Sequence, residues 1–159
     1  MFRHNLKEEI GQAFVELALV LPIFLLLLVG AVEVGRLAYA AIEVSNAARA
    51  GVSYAAQSHT TAALDATNSA FIMQAATQDA PNITILSAVP SNSCSCESSA
   101  GVFTTSSCTS INTNNCASPS RIVLYVQVQT SAKVDTLFHF PGIPKTVTLG
   151  GYANMRVQQ

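Results

Sequence analysis

The sequence predicts an α+β chain: a long N-terminal helix packed on a small head, built from a second, shorter helix and an antiparallel sheet of about three strands. Three observations predict it. An apolar run from Ala13 to Val32 passes without a turn signal into an Ala-rich stretch that ends near Gln57. Beyond Pro81 the spacing of apolar residues changes from three or four to two, which is the change from helix to half-buried strand. All four cysteines, Cys94, Cys96, Cys108 and Cys116, fall in one polar region between the strand patterns.

With 159 residues the chain has room for one modest globular domain beside its apolar helix. It is 50% hydrophobic and 11% charged, with a formal net charge of −1, so no basic surface for nucleic acid is implied. Much of the apolarity lies in the first helix. The remainder is rich in Ala, Ser, Thr and Asn.

Arg3 and Lys7 lie in a short polar leader, residues 1–11, that ends at Gly11. The helix expected next covers residues 12–57. Its apolar part, residues 13–32, matches the ~20 residues that span a bilayer and exceeds the ~7–15 of a signal-peptide core. A permanent single span is therefore expected, followed by an Ala-rich extension over 33–57. The whole helix would measure about 68 Å, of which a bilayer core takes about 30 Å. In the extension Leu37, Ala41, Val44, Ala48, Val52 and Ala55 step by three or four and form the stripe expected to face the head. Pro22 removes the hydrogen bond that a residue there would give to the Ala18 carbonyl. It reads either as an ordinary transmembrane proline or as a hinge that lets the helix stretch in a filament.

The head is expected over residues 58–159. Thr60 to Asp79 carries the second helix, with Leu64, Thr67, Phe71 and Ala75 on one face and Pro81 as its stop. Ile83, Ile85 and Val89 mark a first strand. Ile122, Leu124, Val126, Val128 and Val134 line one face of a second. Val147, Leu149, Ala153, Met155 and Val157 line one face of a third. Alternation with polar residues predicts an antiparallel sheet with one solvated face. Gly150 and Gly151 mark a bulge or a close backbone approach. The polar segment 91–120 is expected to be a surface loop, and Phe138 to Pro144 an aromatic, proline-rich turn whose rings pack under the sheet edge.

Four clustered cysteines beyond a membrane anchor read as two disulfides in an oxidising compartment, with zinc as the alternative. A Cys94–Cys96 bridge would close a strained ring across one residue, which leaves two long-range connectivities. The charge bias across the span is weak, because Arg36 and Arg49 follow it as Arg3 and Lys7 precede it. The cysteines orient it better: N-terminus cytoplasmic, head extracytoplasmic.

No enzyme is legible. His4, His59 and His139 stand apart from any metal-ligand spacing, and there is neither a nucleophile elbow nor a phosphate-cradling glycine loop. No catalytic residue, metal site or cofactor is expected. Asn82-Ile83-Thr84 matches a glycosylation sequon that arises often by chance. Glu33 and Arg36 are spaced to pair locally, and Ala31/Gly35 and Ala47/Gly51 offer flat patches for close helix contact.

Glu16 is the exception. A carboxylate one turn inside an apolar helix either snorkels to the headgroups or waits for a partner, and ionisable groups at such depth are functional by default. A glycine followed five positions later by that glutamate is also the processing signature of type IV pilins, whose membrane peptidase cuts after the glycine. The partner of Glu16 would then be the new amine of Gln12, on its own helix or a neighbour's, since opposite charges attract strongly in low dielectric.

The segment from Gly11 through Gln12, Phe14, Glu16 and Pro22 to Gly30, followed by Glu33-Val34-Gly35-Arg36, resembles the TadE-like family. So, more loosely, do Asn46-Ala47-Ala48-Arg49-Ala50-Gly51 and the closing Asn154-Met155-Arg156. These are pilin-like subunits of the tight adherence (Tad, or Flp) pilus system. The resemblance implies cleavage by the prepilin peptidase between Gly11 and Gln12, and a role as a minor pilin in pilus assembly and surface adhesion. It implies a single-pass protein of the inner membrane, destined for an extracellular pilus, whose partners are other pilins or pseudopilins and the inner-membrane assembly platform. Leu17 departs from the aromatic that follows the glutamate in the small major pilins, and the large head also favours a minor subunit. Three rival readings are a pseudopilin of a secretion system, a membrane-anchored binding module outside any filament and, last, an anchored hydrolase, which lacks a catalytic constellation.

Overall fold

The computed structural model describes residues 6–108, 116–138, 142 and 144–157, with side chains from residue 11 onward. The chain divides into two compact units, Met1–Ala38 and Tyr39–Gln159. One helix, α1 (Leu6–Ala55), contributes to both. It starts at Leu6 rather than Gln12, because Leu6-Lys7-Glu8-Glu9 are strong helix formers and Gly11 alone costs only about 1 kcal/mol in a helix. It also continues through Pro22 without a break.

In the second unit, the Tyr39–Ala55 part of α1 is followed by a 3-10 turn (Thr61–Ala63) and by α2 (Ala66–Gln78). Then come four strands: β1 (Leu86–Glu97), β2 (Phe103–Ser106), β3 (Arg121–Asp135) and β4 (Thr146–Arg156). They form one antiparallel sheet in the order β2-β1-β3-β4. The α+β class holds, but the sheet has four strands, not three. The expected loop over 91–120 accounts for the difference: its first seven residues extend β1 to Glu97, and Phe103–Ser106 folds back on Cys94–Glu97 as a short edge strand. Ser98 to Val102 closes that hairpin, with Gly101 at φ 75° and a Val102 N–H bond to the Ser98 hydroxyl.

One face of the sheet carries both helices. Val44, Ala47, Ala48, Val52 and Ala55 of α1 and Ile72 and Ala76 of α2 are fully buried, as are Val126 and Val128 of β3. The α1 stripe therefore runs as expected through Val44, Ala48, Val52 and Ala55, with Leu37 and Ala41 only flanking it. In β3 and β4 the alternation places the expected residues on the inner face, although Met155, near the end of β4, is exposed. Two faces differ. The register sets Ala88 opposite Thr130 and Val89 opposite Gln129, so small Ala88 and Cys94 point inward while Val89 is exposed. In α2 the buried face is Ile72 and Ala76, one position on from Phe71 and Ala75. Phe71 lies outside, its ring 6.5 Å from that of Tyr54.

Close approach explains the small residues. A Cβ on Gly151 would lie 2.6 Å from both Thr130 Oγ1 and the Val44 carbonyl, so this glycine lets β4 touch the backbone of α1. Beside it, buried Thr130 donates from Oγ1 to the same Val44 carbonyl at 2.7 Å. Gly51 packs more loosely between Val128 and α2, where a Cβ would meet atoms at 3.3 and 3.4 Å. α2 is capped by Asp65, whose carboxylate accepts from the Asn68 N–H at 2.7 Å, an interaction worth about 1 kcal/mol.

Candidate functional site

The candidate site is the stretch of α1 that holds Gly11, Gln12, Glu16 and Pro22. Every residue from Gly11 to Leu28 is exposed, including Phe14, Leu17, Leu19, Ile23 and Phe24. A soluble helix rarely presents large apolar side chains all round, and a contiguous patch of this kind marks a membrane or protein contact. The helix is long and apolar enough to cross a bilayer. A Cβ on Gly11 would meet nothing within 4 Å, so no described neighbour crowds the helix there. Glu16 forms no hydrogen bond or ion pair among the described residues. It is a single carboxylate in a surface of Leu, Val, Phe and Ala. Further along, the Arg36 Nη2 donates to Glu33 Oε1 at 3.1 Å, the local pair expected from their spacing, worth a few tenths of a kcal/mol.

The flat patches part company. Gly35 is open, whereas Ala47 and Gly51 are buried inside the head. The second patch therefore serves the fold and is not available to another helix.

The cysteines form two disulfides, Cys94–Cys108 and Cys96–Cys116, one of the two long-range connectivities. Cys94 and Cys96 stand on β1, two residues apart and hence on one face, so both bridges tie the connection between β1 and β3 to the same side of the sheet. Their effect is to fix a segment too polar to build its own core. Among the described residues no three His, Cys, Asp or Glu side chains gather as a metal site. His139 and Phe140, in the expected aromatic turn, lie outside the described residues; Phe138 is 39% exposed.

Two polar clusters were not expected from the sequence. Glu97 Oε2 accepts from Arg121 Nη2 at 2.7 Å and Nε at 2.8 Å, and Arg156 Nη1 stands 3.6 Å away. This three-strand clamp joins β1, β3 and the end of β4. The other cluster is buried: Glu43, 8% exposed, accepts at Oε1 from Asn82 Nδ2 at 2.6 Å, while its Oε2 has no hydrogen-bond partner. The sequon nitrogen is thus engaged within the fold. A charged residue in the Ala stripe, three after Ala40 and four before Ala47, was the one signal that could have located Glu43. Its partner, 39 positions away, carried none.

No curated protein and no solved structure matches the chain. A family model described as TadE-like protein matches residues 11–53. The match begins at Gly11 and takes in Glu16, Pro22, Glu33 and Arg36. It is this segment, the one with the exposed apolar surface and the unpartnered carboxylate, that is similar to the TadE-like family.

Proposed function

We propose that the chain is a structural, non-enzymatic subunit of a Tad-type pilus: a minor pilin that the prepilin peptidase trims between Gly11 and Gln12. The observation that carries this reading is Glu16, alone on an exposed apolar helix and inside the TadE-like match. In lipid that carboxylate is costly unless paired. The amine freed at Gln12 lies about one helical turn away on the same chain and is available on any neighbour. Pairing with it favours assembly over solitary residence in the bilayer. The apolar surface from Phe14 to Leu28 then exchanges lipid for other helices, and Pro22 marks the place where the ladder of hydrogen bonds already lacks one member.

The head is held outside the cytoplasm, where its disulfides form, and it presents the sheet for contacts in adhesion or with other pilins and the assembly platform. Glu16→Ala tests the role of the carboxylate. The variant should still insert in the inner membrane but no longer co-purify with other pilins. Normal co-purification removes the role given to Glu16.

A further inference from the structure

The two edges of the sheet are built differently. A free edge presents unpaired N–H and C=O groups, and proteins blunt such edges with short strands, prolines, charges or bulges. On one side the edge is β2, only four residues long, which leaves Leu86–Ser93 of β1 uncovered. Pro90 stands in the middle of that stretch and has no N–H to offer. On the other side the edge is β4, eleven residues long. It has no proline, no charge before Arg156 and no bulge: its register with β3 runs unbroken from Tyr125 opposite Arg156 to Asp135 opposite Thr146. Among the described residues no strand lies beyond it.

Which groups face outward follows from the ladder. The Val157 N–H donates to the Leu124 carbonyl and the Thr136 N–H to the Lys145 carbonyl, both at 2.9 Å. Antiparallel pairs alternate between bonded and non-bonded, so the odd-numbered residues of β4 bond to β3. Thr146, Thr148, Gly150, Tyr152 and Asn154 turn their backbone N–H and C=O to the free side. Beside this edge, α1 offers a flank for side chains. Ser53, Gln57 and Met155 line one shallow, open depression, and Ile42, Ser45 and Arg49 line another along α1. Ile42 and Met155 are exposed apolar groups, and Arg49 has no ion pair among the described residues.

We propose that β4 accepts an extended strand from a different polypeptide, added to the sheet edge. The incoming segment alternates apolar and polar residues, sets its apolar side against the α1 flank, and carries a carboxylate within reach of Arg49. Main-chain bonds supply the affinity and the alternate side chains the selectivity, as in other strand additions. A second copy of this chain does not suit the edge, because its own free strand, β4, has no carboxylate to offer Arg49. That the partner belongs to a pilus machinery rests on the pilin reading.

Residue-resolved amide exchange on the full chain tests this, comparing protein purified alone in detergent with protein in intact cell envelopes that carry the pilus machinery. The amides of Thr148, Gly150, Tyr152 and Asn154 are expected to exchange at least about tenfold more slowly in the envelopes, with Leu149 and Ala153 little changed. Thr148→Pro together with Tyr152→Pro, which delete outward N–H groups only, should abolish the partner-dependent slowing at Gly150 and Asn154 while both disulfides still form. Equal rates in the two states overturn the proposal, and so does a β4–β4 cross-link between two copies. Slowing in the envelopes with the chain absent from sheared pili upholds strand addition and removes the pilus reading instead.

Discussion

The two parts of α1 invert the usual relation between side-chain size and burial. From Gly11 to Leu28 the large residues, Phe14, Leu17, Leu19, Ile23 and Phe24 among them, are exposed. From Tyr39 to Ala55 the buried residues are mostly small: Ala40, Ala47, Ala48, Gly51, Ala55 and two valines. The first part has an apolar surface that no described residue covers. The second has given up bulk so that a sheet can touch its backbone. Substitutions in the second part or against it should therefore be felt by the fold, and those in the first part only by whatever surrounds it.

The largest effect is expected from the staple that lets the head keep a polar connection. Replacing Cys94 and Cys108 together by Ala should lower head stability by about 2–5 kcal/mol, read as a lower urea midpoint for the full chain in detergent. Next comes the backbone contact. Gly151→Ala puts a methyl 2.6 Å from Thr130 Oγ1 and the Val44 carbonyl, so α1 and β4 must separate, at about 3 kcal/mol. Gly51→Ala, with its nearest contact at 3.3 Å, should cost far less. If the two glycine variants unfold alike, the close-approach account fails.

Asn82→Ala removes the hydrogen bond that the buried Glu43 carboxylate accepts from Asn82 and should cost about 2 kcal/mol in the same urea measurement; adding Glu43→Gln should recover part of it. Thr130→Val keeps the shape but loses the bond to Val44, for about 1 kcal/mol. Leu19→Ala closes the series, with head stability unchanged within about 0.5 kcal/mol. A large shift there would contradict the division between the two parts of the helix.

The same contrast explains what the sequence could disclose. Gly11, Glu16 and the apolar run are neighbours along the chain, so their relation was legible at once. In β3 and β4 strict alternation gave the inward faces. β1 was harder because its inward residues are small, Ala88 and Cys94, while the larger Val89 points out; only pairing with β3 decides between them. β2 is four residues in a Ser- and Thr-rich stretch, below any periodic signal. In α2 the adjacent Phe71 and Ile72 competed for the core, and the aromatic drew the reading one position off. The Glu43–Asn82 bond, the Gly151 contact and the position of β4 at the sheet edge all depend on tertiary placement. The two glycines at 150 and 151 announced only that something came near.

Trimming at Gly11, with entry into an assembly by the new end, is the step on which the proposed pilin function depends. Mass spectrometry of the protein extracted from membranes of cells that contain the prepilin peptidase tests it directly. The account predicts an amino terminus at Gln12. A chain that keeps residues 1–11 in those cells contradicts it.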